Sequence, residues 1–235
     1  MKTRLRDILL PCLLILAIFF LGQAVGRTKV SMTPTTREQL TPMGLLMEAL
    51  GEMRYTLAAY LWIKVDIYHH EMIAEGHDWK KNTENVPMIR FVTILDPHFI
   101  AAYDFGSYHL AVDLGKGDEG IKFLAEGLKN NPGNGDLLQT MGFVNFHFKR
   151  YAQAVIYLEQ ALNARTTQLD HMNTLRLLTH SWIQLGEKKK ALYCLRELLK
   201  MEPGMPWARK QYEILTGRMV SDPAKLQKGP DTRYR

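Results

Sequence analysis

The chain has 235 residues, 46% of them hydrophobic, which suits one ordinary core or one short solenoid and excludes a wholly disordered protein. Its formal charge of +6, from 30 basic and 24 acidic residues, serves solubility or an acidic partner and lacks the clustering that nucleic acid demands. Two cysteines, Cys12 in the apolar N-terminus and Cys194 near the end, are poorly placed to pair and exclude a disulfide scaffold.

Residues 1–7 form a short basic head with Lys2, Arg4 and Arg6. Ile8 to Gly22 is an uninterrupted apolar run of 15 residues, reaching Gly26 if Gln23 is tolerated. A spanning helix needs about 20 residues, and a cleaved signal has a shorter apolar core. Residues 8–26 are therefore expected to be one transmembrane signal-anchor, with a cleaved signal as the alternative and Gly22-Gln23-Ala24 as its cleavage site. Both readings place the rest of the chain outside the cytoplasm, and an uncleaved anchor fits a bacterial inner membrane with the bulk on the periplasmic side. Residues 27–42, polar and rich in Thr and Pro, read as a linker.

Residues 43–98 read as N-terminal helices. Leu46, Leu50, Arg54, Ala58, Leu61, Trp62, Val65 and Tyr68 recur at three- and four-residue steps, and Gly51 is expected to divide the stretch. The piece containing Tyr55, Ala58, Ala59 and Trp62 then pairs with a helix over 86–95, with Ile89 and Val92 inward and Asp96-Pro97 closing it. A polar loop over 75–84 joins the two.

A stronger pattern follows. Leu138-x2-Met141-Gly142-x2-Asn145 leads through a turn at Lys149-Arg150-Tyr151 into Ala154-x3-Leu158-x2-Ala161. Leu175-x2-Leu178-Thr179-x2-Trp182, a turn at Gly186, and Ala191-x3-Leu195-x2-Leu198 repeat it, with Pro203 closing the copy. The extra length of this copy is expected in a loop over 166–170. Upstream, Phe105-Gly106 followed by Gly120-x3-Leu124-x2-Gly127 and Pro132 gives a further copy, with a longer loop over 113–118. Small residues stand where two antiparallel helices must approach closely, and large ones fill the space around them. The spacing resembles the tetratricopeptide (TPR) repeat of about 34 residues, although Asn145 stands where Tyr is usual and Thr166 where Pro is usual. Three such repeats cover residues 99–205. Residues 206–217, with Trp207, Ala208, Tyr212 and Leu215 on one side, are expected to form a capping helix, and 218–235 a disordered basic tail. The expected fold is all-α: a short TPR-type helix–turn–helix solenoid with a C-terminal capping helix, preceded by one transmembrane helix.

The resemblance implies a partner-binding groove lined by the first helix of each repeat. Carried onto this sequence, its residues are Tyr103 and Ser107, then Gln139, Phe143, Phe146 and His147, then Arg176 and His180. Phe143 and Phe146 exceed what the repeat needs for its own packing, so they either meet a ligand or pack on the neighbouring repeat. The Lys-Asn-Arg set with which some TPR proteins clamp a C-terminal carboxylate is absent. No phosphate loop, nucleophile elbow or zinc-binding spacing is present. Asp66, His69 and His70, with His77 nearby, are the remaining chemical candidates, and they are too few for a metal site. Neither cofactor nor metal is expected. The expected function is non-catalytic: a membrane-tethered protein–protein interaction scaffold or adaptor for an envelope assembly, holding an extended or helical partner segment. The alternatives are an envelope chaperone for unfolded chains and, more remotely, a metal-binding protein or enzyme. The oligomeric state is open.

Overall fold

The computed structural model describes residues 47–164 and 168–217, with backbone alone at 168 and 169. The expected anchor over 8–26, the linker over 27–42, the position of Thr166 and the tail over 218–235 lie outside the described residues. Among the described residues there is no strand, and no helix is long and apolar enough to cross a membrane.

The chain folds as successive helix pairs. Helix α1 (Met53–Ala74) pairs with α2 (Asn85–Leu95), and a 3-10 turn at Trp79–Lys81 lies between them. Helix α3 (Ile100–Tyr108) continues into a π-helical turn (His109–Asp113) and pairs with α4 (Gly117–Asn130). Helices α5 (Gly135–His147) and α6 (Tyr151–Asn163) form the next pair, then α7 (Gln168–Gln184) and α8 (Lys188–Met201), and α9 (Pro206–Thr216) closes the stack. Neighbouring first helices, α3 with α5 and α5 with α7, also touch each other, whereas the second helices contact mainly the helices on either side in sequence. The stack therefore curves with the first helices on its inner face.

Close approach within each pair rests on small residues. A Cβ added to Gly142 would stand 2.5 Å from the Leu158 side chain, and one on Gly120 would stand 2.7 Å from the backbone oxygen of Ser107 and from Ala111. Ala58, Ala154 and Ala191 are likewise fully buried. Leu138, Met141, Leu158, Leu178 and Leu195 fill the core around these contacts, as the repeat spacing predicts. In the first pair, Ile89 and Val92 are buried as expected, and the buried Asn85 side chain donates to the Val65 carbonyl across the pair.

One turn recurs at the end of every first helix. Gly76, Gly115, Lys149 and Gly186 all have positive φ. At three of them the residue's own N–H and the next one's reach back to the last helical turn: Gly76 to Ile73 and His77 to Met72, Lys149 to Phe146 and Arg150 to Asn145, Gly186 to Ile183 and Glu187 to Trp182. This left-handed C-cap favours glycine because a Cβ crowds the backbone there. Lys149 is the exception. Gly51, with φ of 51°, divides the N-terminal helical stretch as expected.

Three expectations change in detail. The extra length between α3 and α4 begins inside the first helix: the Leu114 N–H donates to the His109 carbonyl, five residues back, in a π-helical turn. The extra residues of the last repeat lengthen α7 rather than a loop, because Gln168 to Asp170 are already helical. The polar connection over 75–84 is pinned to the core. Its Trp79 is buried and stacks on His109, with ring centres 4.5 Å apart and His69 edge-on at 4.3 Å. The His109 ring in turn lies 2.7 Å from the Asn82 carbonyl and 3.0 Å from the Asp113 carboxylate.

Two substitutions test these turns and contacts by equilibrium unfolding. Lys149→Gly should raise stability by about 0.5–1 kcal/mol, the relief of left-handed strain less the extra freedom of the unfolded chain. Gly142→Ala should lower it by about 1–3 kcal/mol, because the new methyl displaces Leu158 from a filled core.

Candidate interaction groove

The inner face carries a row of rings that passes from one repeat to the next. Tyr108, at the end of α3, stacks on Phe143 of α5 with centres 5.7 Å apart and planes 15° from parallel. Phe143 neighbours His147 one turn on, at 6.3 Å. Phe146 meets Tyr151 edge-on at 5.7 Å and His180 of α7 at 6.1 Å. His180 packs on Trp207 of α9 at 4.8 Å, and the Arg176 guanidinium lies 5.8 Å from the centre of the same indole. Phe143, Phe146, His180 and Trp207 are half-buried, and Tyr108, His147 and Arg176 are exposed.

Toward the N-terminal ends of the same helices the face is polar and acidic. Gln139 donates from Nε2 to the Asp170 carbonyl at 2.7 Å and to Thr174 Oγ1 at 2.8 Å, tying α5 to α7. The Thr140 hydroxyl donates to the Asp104 carboxylate, tying α5 to α3. Burial holds the Asp104 carboxyl above the usual carboxylate range, and the charges of Asp136 and Asp170 push the same way, while the Thr140 hydrogen bond opposes them. Asp136 and Asp170 lie in the first turns of α5 and α7, where the helix dipole favours negative charge. The groove thus has an acidic edge and an aromatic half in which Arg176 and the two histidines sit.

Of the expected groove residues, Gln139, Phe143, Phe146, His147, Arg176 and His180 lie on this face. Phe143 and Phe146 each pack on a neighbouring repeat, one of the two expected roles, and each keeps part of its surface exposed. Tyr103 and Ser107 do not belong there. Both are fully buried between α3 and α4: Tyr103 packs on Phe123 and against Gly127, and its hydroxyl accepts from Asn130 Nδ2 at 3.0 Å. In that repeat the groove positions are their neighbours, Asp104 and Tyr108. The repeat spacing sets Gly106 against Gly142, 36 residues on, whereas in the structure Tyr108 stacks on Phe143, 35 residues on, so the face lies one residue later than that spacing gives. Trp207, expected as part of a cap, also joins the groove. Its position after Pro206 copies the start of a further first helix, and that similarity was the available signal.

The other chemical candidates do not converge. His70 and Asp66 form an exposed pair 3.6 Å apart, His69 turns to the opposite side against Trp79 and Phe105, and His77 pairs with Glu75. Among the described residues no three His, Cys, Asp or Glu side chains are placed to hold a metal. A separate cleft of about 550 Å³ lies away from the groove, between α6, α7 and α8, and is lined by Glu159, His171, Trp182, Lys190 and Glu197. Its Lys190 ammonium sits 4.1 Å from the centre of the Trp182 ring.

No protein-family model matches the sequence, and no curated protein matches it. Solved structures do. PilF from Pseudomonas aeruginosa superposes with a TM-score of 0.57 at 14% identity, over 74% of this chain and 79% of its own. MamA from Desulfovibrio magneticus gives 0.54 at 13%, over 76% and 98%. YrrB, a TPR protein with an unusual peptide-binding site, gives 0.50 at 15%, over 64% and 73%. The fold is that of TPR proteins.

Burial holds the His180 imidazole below its ordinary value of 6.5, with the Arg176 charge adding to the shift, and burial lowers His69 in the same direction. The folded chain therefore binds these protons less readily than the unfolded one. Their contribution to stability is complete above 6.5 and declines as pH falls through 6.5 toward the folded values. Urea unfolding from pH 8 to pH 5 should show that decline, and His180→Gln should flatten part of it.

Proposed function

We propose that this protein is a non-catalytic adaptor that holds a segment of a partner protein along the inner face of its repeats. It is tethered by residues 8–26 at a membrane, with the repeats outside the cytoplasm, and serves an envelope assembly. The observation that carries this reading is the row of rings from the exposed Tyr108 through the half-buried Phe143 and Phe146 to His180 and Trp207. These residues already close the contacts between repeats, yet their outer faces remain open. Rigid aromatic surface of this kind gives large contact area at low entropic cost and is typical of binding hot spots.

The chemistry of the two halves defines the segment that fits. Apolar side chains of the partner lie on Phe143 and Phe146. A lysine or arginine of the partner reaches the acidic edge at Asp104, Asp136 and Asp170, where burial of the first carboxyl makes an incoming cation favourable. A carboxylate or carbonyl of the partner meets Arg176. The peptide-binding site described for YrrB, on the same fold, is in keeping with a bound segment here.

A photo-crosslinking residue in place of Phe146, in the full chain in its native membrane, tests the reading by mass spectrometry of the adducts. One dominant adduct, reduced at least fivefold by Arg176→Glu or Phe143→Ala, is expected. Many unrelated envelope proteins in the adducts would replace the adaptor with a chaperone for unfolded chains. No adduct would leave the rings as packing alone and end the groove proposal.

A further inference from the structure

Helix α1 is the first whole helix among the described residues, preceded across Gly51 by four helical residues whose Met47 and Leu50 pack on the core, and its outer face is apolar and exposed. Met53, Tyr60, Ile63, Ile67 and Ile73 are between 42% and 55% exposed, whereas Ala58 and Val65 on the opposite face are buried. At about 100° per residue, Tyr60, Ile63 and Ile67 form one stripe with Ile67 at its centre, and Ile73 lies about 120° round the helix from it. The far end of the stack differs: there α9 lays a half-buried Trp207 and a buried Ala208 against the last pair. A solenoid end with a large apolar stripe normally has something stacked on it.

The charges beside the stripe identify what that is. Lys64 and Glu71, both exposed, lie on one flank, with the Lys64 ammonium 5.7 Å from the centre of the Tyr60 ring. Asp66 and His70, also exposed, lie on the other flank. We infer that a second copy of this chain docks here, α1 against α1 and antiparallel. In such a pair each flank meets the same flank of the copy. With the two-fold level with Ile67 and Tyr68, Lys64 of each chain stands opposite Glu71 of the other. At that one setting His70 of each chain lies within one residue of the level of the other's Asp66, and Ile67 meets Ile67 at the axis. Both flanks are matched by a single register, as in antiparallel helix pairs whose flanking charges fix partner and direction.

The other occupants on hand match less. Residues 8–26 carry no charged side chain and would leave both flanks unanswered. An anionic lipid surface would meet Asp66 and Glu71 against Lys64 alone, an unfavourable balance. The pairing is independent of the groove on the inner face, and it would set two grooves side by side in one particle.

The test uses the full chain in detergent. Light scattering should give a dimer. Ile67→Glu should give a monomer with an unchanged helical circular dichroism spectrum, since Ile67 is exposed in the single chain. Lys64→Glu should weaken the dimer severalfold, because each substitution sets two like-charged pairs across the two-fold. Lys64→Glu combined with Glu71→Lys should restore it. In a Cys12→Ser background, Ile67→Cys should form a covalent dimer under mild oxidation. A wild-type monomer, a dimer indifferent to Ile67→Glu, or failure of the double exchange to restore association would each overturn the pairing. So would a photo-crosslink from position 63 to residues 8–26 of the same chain or to a different protein.

Discussion

The structure depends on how closely the two helices of each repeat approach. At Gly142 and Gly120 the facing helix sits where a single added carbon would collide with it. That contact fixes the angle of each pair, and each pair then offers the same two surfaces to the next. Core packing at Leu138, Met141, Leu158 and their counterparts follows from it, because these side chains fill the space left around a fixed crossing. The curvature follows too. First helices that touch their neighbours, beside second helices that hardly do, give a stack that bends inward on one side. The groove is a consequence of this geometry before any ligand is considered.

Such a contact is legible in sequence because it needs a small residue at one position in each copy. Leu, Gly and Ala at repeated spacing gave the helix pairs and their order. The turns were legible for a similar reason, since a left-handed cap selects glycine at 76, 115 and 186. Lys149 shows the limit of that rule: the backbone turns the same way there, and the neighbouring hydrogen bonds hold it against a strain that composition does not reveal. The register of α3 was not legible. Nothing in His109 to Asp113 announces a π-helical turn, and with the extra length allotted to the loop the register falls one residue off, naming the buried Tyr103 and Ser107 in place of Asp104 and Tyr108. Trp79 was hidden for the opposite reason. A polar loop can bury one ring when a core histidine offers it a surface to stack on.

The groove residues also do structural duty. Phe143 stacks on the preceding repeat, Phe146 contacts the following one, and Gln139 and Thr140 bond in the two directions. A segment laid across these residues touches the contacts that set the spacing of repeats. In the proposed function, binding and the curvature of the stack would therefore be coupled, since a ligand that fits one spacing favours that spacing. This coupling separates the inner face from the cleft between α6, α7 and α8, which spans only two adjacent pairs.

The two ends of the stack carry different problems. At the C-terminal end α9 resembles the first helix of another repeat, and it both covers the last pair and extends the row of rings by Trp207. At the N-terminal end α1 is the longest helix described, and its inner face packs on α2, on the pinned loop and, through Trp62 and His69, on Phe99 and Phe105. Its outer stripe, with Ile63 and Ile67, stays largely exposed, whereas Ala58 and Val65 on the opposite face are buried. An isolated apolar residue at the surface is ordinary, but a stripe at helical spacing, bordered by charges that answer one another across a two-fold, is an arrangement that composition alone does not produce.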